Sequence, residues 1–137
     1  MANAIFPKYK NSLLQGDANT ALTGSGTTGL YVALVDTGTY TYNAANQFYS
    51  DLSGIVGTDQ EITTVTTTGG LIDGDNVTYT AVSGATVEAL VLYRKNAGAN
   101  TTWRLIAYID TSVTGLPVTP NGGDIAITWS GSGIVQL

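Results

Sequence analysis

The clearest hydrophobic pattern in the chain lies between Val87 and Thr111. Two apolar runs of strand length, 87–94 and 103–111, are rich in β-branched and aromatic residues and are separated by a polar, glycine-containing loop. This pattern predicts a β-hairpin with a long loop. Neither run alternates cleanly, so apolar side chains face both sides of the sheet. A strand that is covered on both faces is central to its domain, and we expect the rest of the chain to pack around this hairpin.

The pairing of the two runs decides which side chains share a face. If Arg94 pairs with Trp103, one face holds Leu90, Leu92, Leu105 and Ile109, and the other holds Val91, Tyr93, Ile106 and Tyr108. A slip of the register by one residue would exchange the faces.

The N-terminal segment has helical periodicity. Ile5, Tyr9 and Leu13 recur every four residues, Pro7 suits a first helical turn, and Gly16 suits a C-terminal cap. A helix is therefore predicted at about 5–15, followed by a Gly- and Thr-rich loop at about 17–29.

A second short helix is predicted over 43–54. Asn43 would cap it, Phe48 and Leu52 would form its apolar side, and Gly54 would end it. The alternation of Tyr with Thr over 39–42 leaves room for a short strand or extended arm before it.

The remaining apolar segments are short and separated by turn residues. Strands are predicted within 30–35, 55–56, 61–67, 71–72, 77–82, 124–129 and 134–137. Together with the hairpin, this spacing is typical of an all-β protein. We expect one domain over residues 1–137, a β-sandwich of jelly-roll type with one or two short helices in its N-terminal half.

The low charge of the chain limits the classes of function. Charged residues make up 11% of the sequence, against about 25% in typical globular domains, while 43% of residues are hydrophobic. The chain should fold and present a nearly neutral surface, which favours association and suits a protein that works inside an assembly. The alternative is that low-charge, Thr-rich β-proteins are simply common.

Composition also argues against several partners and reactions. A net charge of −5 is unsuited to nucleic acid, which needs clustered Lys and Arg. No apolar run approaches the roughly 18 residues of a membrane span, and the N-terminus lacks a secretory signal pattern. The sequence contains no His and no Cys, the commonest general base and the thiolate nucleophile. We therefore predict no enzymatic activity and no cofactor.

Three short motifs are better explained as local structure. The pattern at 24–29 matches a dinucleotide fingerprint, but a loop precedes it and a strand follows it, which is the wrong context. The turn at 73–76 resembles the start of a calcium loop, yet the twelfth position is Gly84 rather than Glu. Asp59 and Glu61 could pair as acids, but with no apolar pocket evident we expect a solvated face.

Six stretches of the chain are distinctive: FPKYK at 6–10, YVALVDTG at 31–38, FYSDL at 48–52, VEALVLY at 87–93, RLIAYIDT at 104–111 and GLPVTPNGGDI at 115–125. They resemble small virion proteins of tailed bacteriophages, and the resemblance runs over most of the chain. The last two are the most distinctive, and the resemblance is weakest at 18–29.

The resemblance implies a non-enzymatic structural role. Its favoured form is a jelly-roll protein that decorates, or cements, the capsid exterior after synthesis in the bacterial host cytoplasm. The partner it implies is the major capsid protein. Copies of the chain itself, as a dimer or trimer, are expected from the low surface charge and the apolar C-terminal end. A tail, neck or fibre component of a virion is the alternative within the same class.

A carbohydrate-binding β-sandwich is an alternative from another class. Trp103, Trp129 and the eight tyrosines could stack on sugar rings. Aromatic side chains more often fill a core or an interface.

Two regions are candidate interfaces. At the hairpin tip, Arg94, Lys95 and Arg104 are three of only five basic residues, and Trp103 lies beside them. This tip could dock on an acidic patch, although hairpin tips are often simply solvated and charged.

The second candidate is the apolar C-terminal end, which contains Ile134, Val135 and Leu137. A terminal edge strand exposes unpaired backbone groups that can pair with another chain. Oligomerisation through this end is therefore expected.

Overall fold

The computed structural model describes residues 3–23 and 28–137. In these ranges the chain forms one α-helix and nine strands, and is mostly β with several sheets. The helix, α1, is Pro7–Gln15, and the strands are β1 Ala4–Ile5, β2 Gly29–Val35, β3 Ile55–Glu61, β4 Leu71–Ile72, β5 Val77–Tyr79, β6 Ala89–Lys95, β7 Arg104–Ile109, β8 Ile125–Ile127 and β9 Val135–Gln136.

The largest sheet has five antiparallel strands in the order β1-β7-β6-β2-β3. Strands β6 and β7 are the hairpin that the two apolar runs predict, and β6 is the middle strand of the sheet. Six of its seven residues are buried, because both faces of the sheet are covered. The predicted central position of the hairpin is confirmed.

Each face of this sheet carries its own hydrophobic core. The first core lies between the sheet and two small antiparallel sheets, β4 with β9 and β5 with β8. Its buried side chains include Leu30, Val32, Leu34, Ile72, Val77, Tyr79, Leu90, Leu92, Ile106, Ile109, Ile125 and Ile127. Burial of an aliphatic side chain of this size contributes about 1.5–3 kcal/mol.

The second core lies on the opposite face. It contains Phe6, Ala33, Val35, Tyr40, Ala89, Val91, Tyr93, Leu105 and Tyr108, and Tyr31, Tyr42, Tyr49, Leu52, Ile55 and Trp103 pack against it. The segment between β2 and β3 therefore covers the outer face of the central sheet.

The predicted hairpin register is wrong by one residue. Arg94 pairs with Arg104 rather than with Trp103, and the register shifts again between Leu105 and Ala107. This β-bulge leaves Ile106 without a paired residue. Leu105 consequently faces the second core and Ile106 the first, which reverses the predicted faces of these two residues. The other six assignments, including Leu90 and Tyr108, agree with the structure.

Helix α1 begins at Pro7, inside the predicted range of 5–15, while Ile5 belongs to β1. The helix ends where Gly16 adopts a left-handed conformation with φ 70°, which glycine accommodates without a Cβ clash. The Gly16 and Asp17 N–H groups donate to the carbonyls of Leu13 and Ser12.

The helix predicted over 43–54 is wrong. Asn43 caps only a local turn, accepting from the Ala45 N–H at 2.9 Å, and a single 3₁₀ turn occurs at Tyr49–Asp51. Phe48 instead forms an antiparallel bridge with Arg104. Pairing with the edge of β7 satisfies backbone N–H and C=O groups of this segment that would otherwise form hydrogen bonds within the predicted helix.

Other boundaries also differ from the prediction. Strand β3 continues to Glu61 but does not extend over 62–67, and no strand is assigned at 39–42. Strand β9 is an edge strand with β4 as its partner. No helix in the described ranges has the length and apolar character needed to cross a bilayer.

Candidate functional site

Aromatic and ionisable side chains converge in an open hollow at the rim of the second core. We call it the aromatic depression and define it by Tyr31, Tyr49, Asp59, Tyr93, Lys95 and Trp103. Its volume is about 340 Å³, and Ile55, Gly57 and Thr58 complete its lining. That volume is near the lower end of small-molecule sites, which span about 300–1,000 Å³.

Neighbouring strands place the rings. Tyr31 on β2 is paired with Tyr93 on β6, and their ring centroids lie 5.9 Å apart. Trp103 immediately precedes β7 and stacks on Tyr93 at 5.8 Å with an interplanar angle of 10°. Tyr49 reaches the same place because its N–H donates to the Trp103 carbonyl at 2.8 Å. Tyr93 is buried, whereas Tyr31, Tyr49 and Trp103 are partly exposed.

Asp59 lies on β3, next to these rings. Its Oδ2 accepts hydrogen bonds from the hydroxyls of Tyr49 and Tyr93, both at 2.8 Å. Its Oδ1 is buried without a hydrogen-bond partner among the described residues. Burial raises the pKa of Asp59 above its ordinary value, and the two tyrosine hydrogen bonds oppose that rise. The prediction of a solvated face is therefore wrong for Asp59.

Lys95 extends across the depression. Its Nζ lies 4.8 Å from the Tyr31 ring centroid and 5.1 Å from the Trp103 ring centroid. Both distances are within cation–π range. The ammonium group therefore caps the two exposed rings.

The other basic residues of the hairpin tip point elsewhere. Arg94 is 9% exposed, and its guanidinium donates to the carbonyls of Ala21 and Lys95. Its position leaves little surface for a partner. Of the four tip residues that the sequence singles out, the structure brings Lys95 and Trp103 together and turns Arg94 inward.

Arg104 is also engaged within the molecule. Its Nε donates to the Ala18 carbonyl at 2.9 Å, its Nη1 donates to Ser12 Oγ at 2.8 Å, and its Nη2 lies 3.7 Å from Asp17 Oδ2. Arg94 and Arg104 together hold residues 17–22 against the sheet. Residues 24–27, which contain most of the dinucleotide-like pattern, lie outside the described ranges.

A second candidate surface lies at the end of the molecule where α1 meets the C-terminus. Leu13 is 37% exposed, Leu14 88% and Leu137 46%. Leu13 and Leu137 line a hollow of about 300 Å³ together with Tyr9, Leu22 and Ile72. We call Leu13, Leu14 and Leu137 the aliphatic patch.

The C-terminal residues predicted as an interface divide between core and surface. Ile134 and Val135 are partly buried and pack against the first core, while Leu137 joins the aliphatic patch. The sequence pattern did not single out Leu14 as a candidate interface residue. Leu14 lies outside the four-residue spacing of Ile5, Tyr9 and Leu13, so its position off that stripe was the available signal.

Other candidate residues have structural roles. Trp129 is 7% exposed, belongs to the first core and donates from Nε1 to the Asp75 carbonyl at 2.9 Å, so it cannot serve as a stacking platform. Asp75 Oδ2 accepts from the hydroxyls of Thr63 and Thr64, as expected for a braced turn. Within 3–23 and 28–137 no group of three or more His, Cys, Asp or Glu side chains is placed to hold a metal.

Compared with models of known protein families and with curated protein sequences, the chain matches none of them.

Proposed function

We propose that the chain is a non-enzymatic structural protein of a tailed-bacteriophage virion. In this proposal it decorates the capsid exterior, bound to the major capsid protein and to copies of itself. The resemblance of six stretches to small virion proteins supports the class, and a charged fraction of 11% suits a protein that is extensively covered by neighbours.

The aliphatic patch is the observation that carries the proposal. Single exposed leucines are normal on protein surfaces, but here Leu13 and Leu137 line one hollow, and Leu14, which is 88% exposed, follows Leu13 on α1. Grouped exposed apolar side chains mark interaction sites. Lys8 and Lys10 on α1 are exposed beside the patch and would steer it towards an acidic partner.

The proposal includes a jelly-roll sandwich as the fold. Its support is the layering around the first core, where the β4–β9 and β5–β8 sheets pack on one face of the five-stranded sheet. The antiparallel pairing of every strand agrees with that architecture.

Binding to undecorated phage shells tests the proposal. We expect the purified protein to bind in hundreds of copies per shell, and Leu14→Gln to reduce the bound copies because it replaces the most exposed apolar side chain of the patch with a polar amide. Thr80→Gln is the control, since Thr80 is exposed directly after β5 and does not line the hollow that Leu13 and Leu137 share.

Two results would contradict this role. Equal binding by the parent and Leu14→Gln would exclude the aliphatic patch as the docking surface. A handful of copies confined to the neck or tail of virions would favour a tail, neck or fibre component instead.

A further inference from the structure

We propose that the aromatic depression is a binding site for a neutral saccharide. The apolar face of a sugar ring would pack on Trp103 and Tyr31, and its hydroxyls would bond with Lys95 and Thr58. This site is separate from the aliphatic patch, so the proposal goes beyond the structural role in the virion and does not depend on it.

The depression is organised before any ligand arrives. Tyr49 and Tyr93 are fixed by their hydrogen bonds to Asp59, and Trp103 Nε1 donates to the Gly98 carbonyl at 3.0 Å. The rings also pack against one another, since the Tyr49 and Trp103 ring centroids lie 5.3 Å apart in an edge-on contact. Rigid aromatic side chains lose little conformational freedom on binding, which favours affinity.

Lys95 is the adjustable part of the site. Its ammonium lies over the rings of both Tyr31 and Trp103, on a flexible four-carbon stem. A cation–π contact at a partly exposed site is weak, so the side chain can move aside at little cost. The same ammonium can then donate hydrogen bonds to sugar hydroxyls while the ring faces become available.

The charges of the depression select a neutral ligand. A cationic ligand would meet the Lys95 ammonium at the opening, and Asp59 Oδ2 already accepts hydrogen bonds from the Tyr49 and Tyr93 hydroxyls. An anionic ligand would meet Glu61, which is the residue of β3 that pairs with Tyr31. Thr58 is an exposed residue of the lining, and its hydroxyl, which can both donate and accept, suits a polyhydroxylated ligand.

The test is calorimetric titration with methyl glycosides of glucose, mannose, galactose and N-acetylglucosamine and with their oligomers. We expect saturable binding of at least one of them by the parent protein. Lys95→Met retains the stem but removes the ammonium, and Tyr31→Leu removes one stacking face; each should weaken binding about tenfold or more. Tyr42→Leu is the matched control, because Tyr42 packs on Phe6 and Tyr108 outside the depression.

Nuclear magnetic resonance locates the ligand without altering a tryptophan in the titrated protein. The chain has two tryptophans, and only Trp103 lines the depression. We expect the indole N–H signal of Trp103 to move on saccharide addition while that of buried Trp129 stays in place.

Three results would overturn the proposal. The first is no saccharide binding at millimolar concentration. The second is saturation by tetramethylammonium but by no saccharide, which would make the depression a cage for cations. The third is saccharide binding that Lys95→Met and Tyr31→Leu leave unchanged, which would place the sugar elsewhere.

Discussion

Asp59 and Asp75 show how local surroundings move the pKa of a carboxyl in opposite directions. Asp59 lies behind the aromatic depression, where burial penalises its charged form and raises its pKa. Asp75 is at the surface, where hydrogen bonds from the Thr64 and Thr63 hydroxyls stabilise the carboxylate and lower its pKa. The contributions of Asp59 and Asp75 to the free energy of unfolding should therefore change with pH in opposite directions.

The pH dependence of Asp59→Asn tests the first of these effects. Because its folded-state pKa is raised, the stabilisation that Asp59 contributes is present below the unfolded value of about 3.9 and is lost as pH rises through the folded value. The amide oxygen of Asn can still accept the tyrosine hydrogen bonds. We expect the unfolding free energy of Asp59→Asn, relative to the parent, to increase as pH rises from about 4 to neutrality. Urea melts across this range measure it.

Asp75→Asn is the control of opposite sign. A lowered folded-state pKa contributes stability above the unfolded value and loses it as pH falls through the folded value. Relative to the parent, Asp75→Asn should therefore become less stable as pH rises through the acidic range. Parallel pH profiles for the two variants would contradict the opposite assignments.

At the scale of elements, the central hairpin should contribute more to stability than any surface segment of the described chain. Leu90→Ala, at a fully buried site, should lower the unfolding free energy by about 2–5 kcal/mol, through lost transfer energy and a residual cavity. Leu14→Ala makes the same chemical change where the side chain is 88% exposed, and should alter stability by no more than about 0.5 kcal/mol. Denaturant melts compare them, and equal small losses would mean that the hairpin is not the core of the fold.

The hairpin also shows how far the sequence can predict elements. Its two apolar runs were predictable because strands that are covered on both faces appear in the sequence as long hydrophobic segments. The register was not, because the loop sets the Arg94 pairing one residue away from the predicted one and the bulge at Ile106 then interrupts strict alternation. The helix predicted over 43–54 failed for a related reason: its propensity and capping signals were local, whereas the bridge from Phe48 to Arg104 is a tertiary contact.

Almost none of the aromatic depression could be predicted from the sequence, because only the tertiary structure brings its side chains together. Tyr31, Asp59 and Tyr93 come from three strands that are far apart in sequence and adjacent in the sheet. The sequence did single out Lys95 and Trp103, because they flank a hairpin loop. It could not distinguish them from Arg94 and Arg104, whose partners include carbonyls of a loop more than seventy residues away.

At the scale of the whole molecule, the arrangement of the basic residues is more informative than their number. The chain has five basic residues. Arg94 and Arg104 bind the 17–22 loop and Lys95 caps the aromatic depression, which leaves Lys8 and Lys10 exposed on α1. The exposed lysines of the helix therefore lie at the same end of the molecule as the aliphatic patch.

The final prediction is that the free protein forms a dimer or trimer through this end. Burial of Leu14 and Leu137 between copies would remove apolar surface from water, and the acidic chain would supply carboxylates for the lysines of α1. Light scattering should show the oligomer for the parent and for Thr80→Gln, and a shift towards monomer for Leu14→Gln. Because the lysine contacts are screened, with a Debye length of about 8 Å at physiological ionic strength, added salt should weaken association only partly. A parent protein that is strictly monomeric in solution, and also present as isolated single copies on virions, would refute the prediction.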